Sequence, residues 1–76
     1  MEDQENIWIT ATIGGNIQKA RINCSLSQEE LALRVNASHR QIAAYEKGEK
    51  DMPMSRLFEI AEITGVTVAD LLADAL

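Results

Sequence analysis

The stretch SQEELALRVNASHRQIAAYEKG, residues 27–48, limits this chain more than any other part of it. Ser27 followed three places later by Glu30 is a capping box, and it starts a helix at Gln28. Leu31, Ala32 and Val35 take the inward side of that helix, which ends at Asn36. Ser38 caps the next helix, which runs to about Lys47 and stops at Gly48. Two helices joined by so short a corner must cross steeply, and the crossing dictates residue types at set offsets. Counting Gln28 as the first place, Ala32 falls fifth, where the helices approach too closely for a larger side chain. Asn36 falls ninth, at the corner, where the backbone tends to need positive φ and Asn is one of the few residues that tolerate it. Leu31, Val35, Ala37, Ile42 and Tyr45 fill the inward places. The spacing predicts a helix-turn-helix.

The flanking sequence reads as helices with short corners. The one β-like stretch is IWITATI, residues 7–13, and a first helix is expected from Gly14 to Asn23 with Ile13, Ile17, Ala20 and Arg21 on one face. The run NCS breaks it. After the loop EKDMP, Pro53 opens a fourth helix whose apolar face is Leu57, Phe58, Ile60 and Ala61, and Gly65 closes it. Thr67 caps a last short helix containing Leu71 and Leu72. The expected fold is all-α: a compact five-helix bundle over residues 13–76, preceded by a short acidic N-terminal arm, residues 1–12. Seventy-six residues hold one modest core and no cleft fed by a second domain. Trp8, Tyr45 and Phe58 are the only aromatics, so Leu, Ile, Val and Ala must build that core.

Several function classes drop out. The lone Cys24 permits no intrachain disulfide and suits a thiol-keeping cytoplasm. No apolar run approaches the roughly 18 residues of a membrane span, and the N-terminus lacks a signal pattern. No nucleophile–base pair, metal cluster or phosphate loop is present, and His39 is the only histidine, so neither an enzyme nor a cofactor is expected. The net charge of −5 speaks against binding a polyanion, but its distribution does not. Residues 1–15 hold Glu2, Asp3 and Glu5 with no base. Residues 51–76 hold Arg56 against Asp51, Glu59, Glu62, Asp70 and Asp74. Residues 16–50 hold Lys19, Arg21, Arg34, Arg40, Lys47 and Lys50 against Glu29, Glu30, Glu46 and Glu49, and they alone are net basic. A chain so divided can turn a positive face to phosphates.

At this point the residues resemble a family, the Cro and phage-repressor type of helix-turn-helix, also called Xre-type. The resemblance runs from Ile13 to Leu72, through LSQEELA at 26–32, YEKG at 45–48 and RLFEIAEITGVTVADLL at 56–72. It implies a lambda-repressor-like DNA-binding domain, usually dimeric, whose third helix reads the major groove of double-stranded DNA. Gln28 would hold a phosphate and lean on the start of the third helix. His39 and Arg40 would face base edges and Ala44 would sit against the groove. Gln41, Ala43 and Lys47 would line its flanks, with Lys47 and Lys50 near phosphate. Arg21 and Glu46 would form a partly buried ion pair between the first and third helices.

The chemistry of the side chains agrees. Polar residues just after the Ser38 cap reach base edges when that helix end points into the groove. Arg40 can donate to O6 and N7 of guanine, and Gln41 can pair with adenine. His39 can donate to a base acceptor or to phosphate. Ala43 and Ala44 offer little, so specificity per subunit is expected to be modest. Trp8, between Ile7 and Ile9, either folds back over the bundle or is exchanged with a second subunit. Val68, Leu72, Ala75 and Leu76 leave more apolar surface than one bundle can bury, which points to a symmetric homodimer and a palindromic operator. The expected function is a transcriptional regulator acting as a repressor. The alternatives are an antitoxin, a restriction–modification controller, or a protein-interaction module without a DNA role.

Overall fold

The computed structural model describes the backbone of residues 2–75 and the side chains of residues 10–75. Five helices follow one another: α1 (Glu2–Asn23), α2 (Gln28–Arg34), α3 (His39–Lys47), α4 (Met54–Thr64) and α5 (Val68–Leu71). No strand occurs among the described residues.

The caps explain where the helices start and stop. Ser27 accepts from the Glu30 amide while Glu30 accepts from the Ser27 amide, at 3.0 and 2.7 Å. Ser38 with Gln41 and Thr67 with Asp70 repeat the same reciprocal arrangement. Gly48 and Gly65 end α3 and α4 in the left-handed region, at φ 75° and 76°. Asn36 takes φ 55° at the corner between α2 and α3, as its chemistry allows.

The core is aliphatic. Ile17, Leu31, Ile42, Ile60 and Leu71 are fully buried, and Ala20, Ala32, Val35, Tyr45, Leu57 and Ala61 close around them. Ile13, Ala37, Val68 and Leu72 pack against this cluster from its edge. Small residues at Ala20, Ala32 and Ala61 let the helix axes approach, which is how a chain this short reaches close packing.

Three expectations are corrected. The β-like stretch 7–13 is helical, because α1 is continuous from Glu2 through Asn23. Its packing shows why. Thr10 donates to the Gly48 carbonyl at 3.1 Å, Ala11 lies against Gly48, and Gly14 lies against the end of α3. Contacts at helical spacing therefore override the local strand preference of the β-branched residues. Phe58 belongs to the outer side of α4 and is 58% exposed; Leu57, Ile60, Ala61 and Thr64 are the buried residues of that helix. Ala75 is 3% exposed within the single chain, so it offers no surface to a second copy. The expectations for the Trp8 side chain and for Leu76 lie outside the described residues.

Candidate nucleic-acid interface

The site begins with the way α3 is held. Its inward residues, Ile42, Tyr45 and Glu46, are buried. At 100° per residue, Arg40, Ala43, Ala44 and Lys47 must then share the opposite face. Arg40 and Lys47 are exposed, while Ala43 and Ala44 are half-buried between them. The side chains of Arg40, Lys47 and Lys50 make no hydrogen bond or ion pair among the described residues, which leaves their charge available to a partner. Ala43 and Ala44 keep the centre of the face flat, letting the helix approach another surface closely.

Behind this face stands a polar spine. Arg21 and Glu46 meet, with Nε donating to Oε2 at 2.6 Å and Nη2 to Oε1 at 3.1 Å. Both side chains are nearly covered, at 11% and 3% exposure, and Arg21 Nη1 also donates to the Leu26 carbonyl at 2.8 Å. The hydrogen bond to Glu46 raises the Arg21 guanidinium above its ordinary range, against the opposing effect of burial. The two-pronged pairing fixes α1 to α3 with geometric precision. Gln28 Nε2 donates to Glu46 Oε1 at 2.9 Å, and Gln28 Oε1 lies 2.9 Å from His39 Nε2. Gln28 thus leans on the start of α3 through His39, while one of its amide hydrogens stays free for a phosphate.

Other expected residues are already engaged. Ser38 accepts from the Gln41 amide, and Gln41 Oε1 accepts from the Ser38 amide at 3.0 Å. Gln41 is therefore held back against its own cap, with one acceptor site of its carbonyl already used. The pattern S-x-x-Q at 38–41 carried that signal in the sequence.

Three residues that position the site went unnoticed in the sequence. Gly14 has no side chain because a Cβ there would fall 2.6 Å from the Glu46 carbonyl oxygen and would meet that of Tyr45. Asn16 donates to the carbonyls of Leu71 and Ala73 at 2.9 and 2.8 Å, closing the bundle's end onto α1. Arg56, half-buried on α4, donates to the Val35 carbonyl and so braces the corner between α2 and α3. Long-range partners of this kind leave no local pattern.

No helix is long and apolar enough to cross a membrane, and no group of three or more His, Cys, Asp or Glu among the described residues is placed to hold a metal ion. A cleft of about 280 Å³ lies between Thr10, Ile13, Tyr45, Met52 and Leu57, away from the outward face of α3.

Two steeply joined helices, the second held from behind and presenting unpaired cations, define a helix-turn-helix protein. The chain belongs to the HTH_3 helix-turn-helix family, whose model matches residues 17–71. It is 33% identical over 66 residues to a transcriptional regulator in the ATPase CF(0) region of Rhodospirillum rubrum, covering 87% of this chain but 61% of that protein. The fold matches the clp gene regulator ClgR from Corynebacterium glutamicum with a TM-score of 0.83 at 24% identity, over 88% of this chain and 71% of that one. It matches the restriction-modification controller protein C.AhdI from Aeromonas hydrophila with a TM-score of 0.82 at 18% identity, over 87% of this chain and 96% of that one.

Proposed function

We propose that this chain is a DNA-binding transcriptional regulator that lays α3 in the major groove. The observation that carries this is the outward face of α3, where Arg40 and Lys47 stand exposed and unpaired on either side of Ala43 and Ala44. Arg40 reads guanine through O6 and N7, Gln28 and Lys50 hold phosphates, and the two alanines admit the helix to the groove floor. The regulators of similar sequence support the same reading. Binding occurs as a homodimer on a palindromic operator, with two α3 helices about 34 Å apart. Val68 and Leu72, still partly open on each copy, supply apolar surface for that contact. Repression follows from occupying a promoter, in a cytoplasmic setting and without a cofactor. A restriction–modification controller is the second reading, favoured by the match over 96% of C.AhdI.

The test is selection of genomic DNA fragments at two salt concentrations with the wild type and Arg40→Ala. The wild type selects a palindrome and loses affinity steeply with salt, while the variant loses at least about tenfold on that palindrome. Absence of binding to any fragment at low salt would refute the proposal and leave a protein-interaction module.

A further inference from the structure

The polar spine behind α3 has a direction, and that direction decides which atom of His39 is left to meet a ligand. Arg21 grips both oxygens of Glu46, and a carboxylate held this way can only accept. Gln28 must therefore turn its NH2 toward Glu46 Oε1, at 2.9 Å, which turns its carbonyl oxygen toward His39. That oxygen also only accepts, so the His39 Nε2 atom 2.9 Å away has to carry the hydrogen. A neutral imidazole holds one such hydrogen. Its other nitrogen, Nδ1, is then a bare acceptor on an exposed residue, with no hydrogen bond among the described residues. The charged groups around the ring are Glu29, which lines the same shallow dent from α2, the neighbouring Arg40, and Glu46 behind Gln28.

We propose that His39 is an acceptor-type base reader: neutral His39 presents Nδ1 to an exocyclic amino group in the major groove, N6 of adenine or N4 of cytosine. Gln28 and Glu46 are its positioning residues. The inference rests on the DNA-binding reading above for its ligand, but not for its tautomer. It reverses the polarity expected from the sequence, in which His39 was a donor. Neutral His39 is thereby matched to the two bases that carry a major-groove amino group and mismatched to guanine and to phosphate, which offer acceptors only.

Two measurements test it. Long-range 1H–15N NMR at about pH 8.5, where a free imidazole is neutral, reads the single histidine without ambiguity. The wild type holds the Nε2–H form alone, and Gln28→Leu releases a mixture of both tautomers. An Nδ1–H form in the wild type, or the same distribution in both proteins, overturns the inference without touching DNA binding. The second measurement uses duplexes selected from a random library. At the position whose preference is lost in His39→Ala, an analogue lacking the amino group weakens wild-type binding about tenfold and leaves the variant unchanged. If removal of the purine N7 weakens binding instead, the ring is donating and the inference fails. A bound duplex indifferent to His39→Ala also overturns it alone. A library yielding no bound duplex overturns the DNA-binding reading and this inference together.

Discussion

Gly14 and Gly15 are neighbours on α1, and replacing each by alanine should move stability in opposite directions. A Cβ at Gly14 would fall 2.6 Å from the Glu46 carbonyl oxygen and 2.8 Å from its carbon, where ordinary contact begins at 3.4 Å. These are backbone atoms in the last turn of α3, and they cannot rotate away. The Tyr45 carbonyl oxygen lies closer still, so relief requires α1 to back off by about 1.2 Å, which opens a gap beside the fully buried Ile17 and loses part of its dispersion contact. Overpacking of this kind costs up to about 3 kcal/mol, against which alanine returns about 1 kcal/mol of helix propensity. Gly14→Ala is therefore expected to lose about 2 kcal/mol, lowering Tm by about 8–16 °C. A Cβ at Gly15 meets nothing within 4 Å, so Gly15→Ala keeps the propensity gain and is more stable by about 1 kcal/mol. Urea unfolding followed by far-UV circular dichroism measures both. If Gly14→Ala proved as stable as Gly15→Ala, the close approach of α1 to the end of α3 would be wrong.

Glu46→Ala leaves the Arg21 guanidinium buried with only the Leu26 carbonyl as partner, and should cost about 3 kcal/mol in thermal or chemical unfolding. An unchanged Tm would show that the pair contributes nothing. Asn36→Ala places a Cβ-bearing residue without a local polar side chain at φ 55° and should lose about 1 kcal/mol by the same assay, whereas Asn36→Gly should not. Glu30 gives a pH dependence. Its hydrogen bonds from the Ser27 amide, and secondarily the Ser27 hydroxyl, hold its carboxyl below the usual carboxylate range. Because the folded value is depressed, its contribution is present in full above the unfolded value and is lost as pH falls through the folded one. Glu30→Gln keeps the capping geometry without the titration. The stability difference between wild type and variant should thus be constant near neutrality and shrink at the acid end; a difference independent of pH would contradict this account.

What the sequence disclosed and what it hid divide along sequence distance. Ser27 with Glu30, Asn36 at the corner and Gly48 after α3 act on backbone within a turn of themselves, and each can be read where it stands. The inward rows of α2, α3 and α4 followed from period alone, except that Phe58 was assigned by its hydrophobicity rather than by its angle. The N-terminal part of α1 looks extended in the sequence because Ile7, Ile9, Thr10, Thr12 and Ile13 favour extended backbone by themselves. In the helix, Thr10 is tied to the Gly48 carbonyl, 38 residues away. The polarity of His39 was hidden for the same reason. It is set by a hydrogen-bond chain that runs from Arg21 on α1 through Glu46 on α3 and Gln28 on α2 back to His39.

Arg56 gives the molecule a property that its contacting face alone would not have. By donating to the Val35 carbonyl, this α4 side chain grips the backbone at the elbow of the two crossing helices. Glu59, half open to solvent, accepts from the same nitrogen at 3.4 Å and steadies that grip from within α4. The corner from which α3 departs is thus tied to α4 as well as to α2. Substitutions along α4 can retune how α3 is presented while leaving every residue of its outward face in place, separating the make-up of that face from how firmly it is aimed.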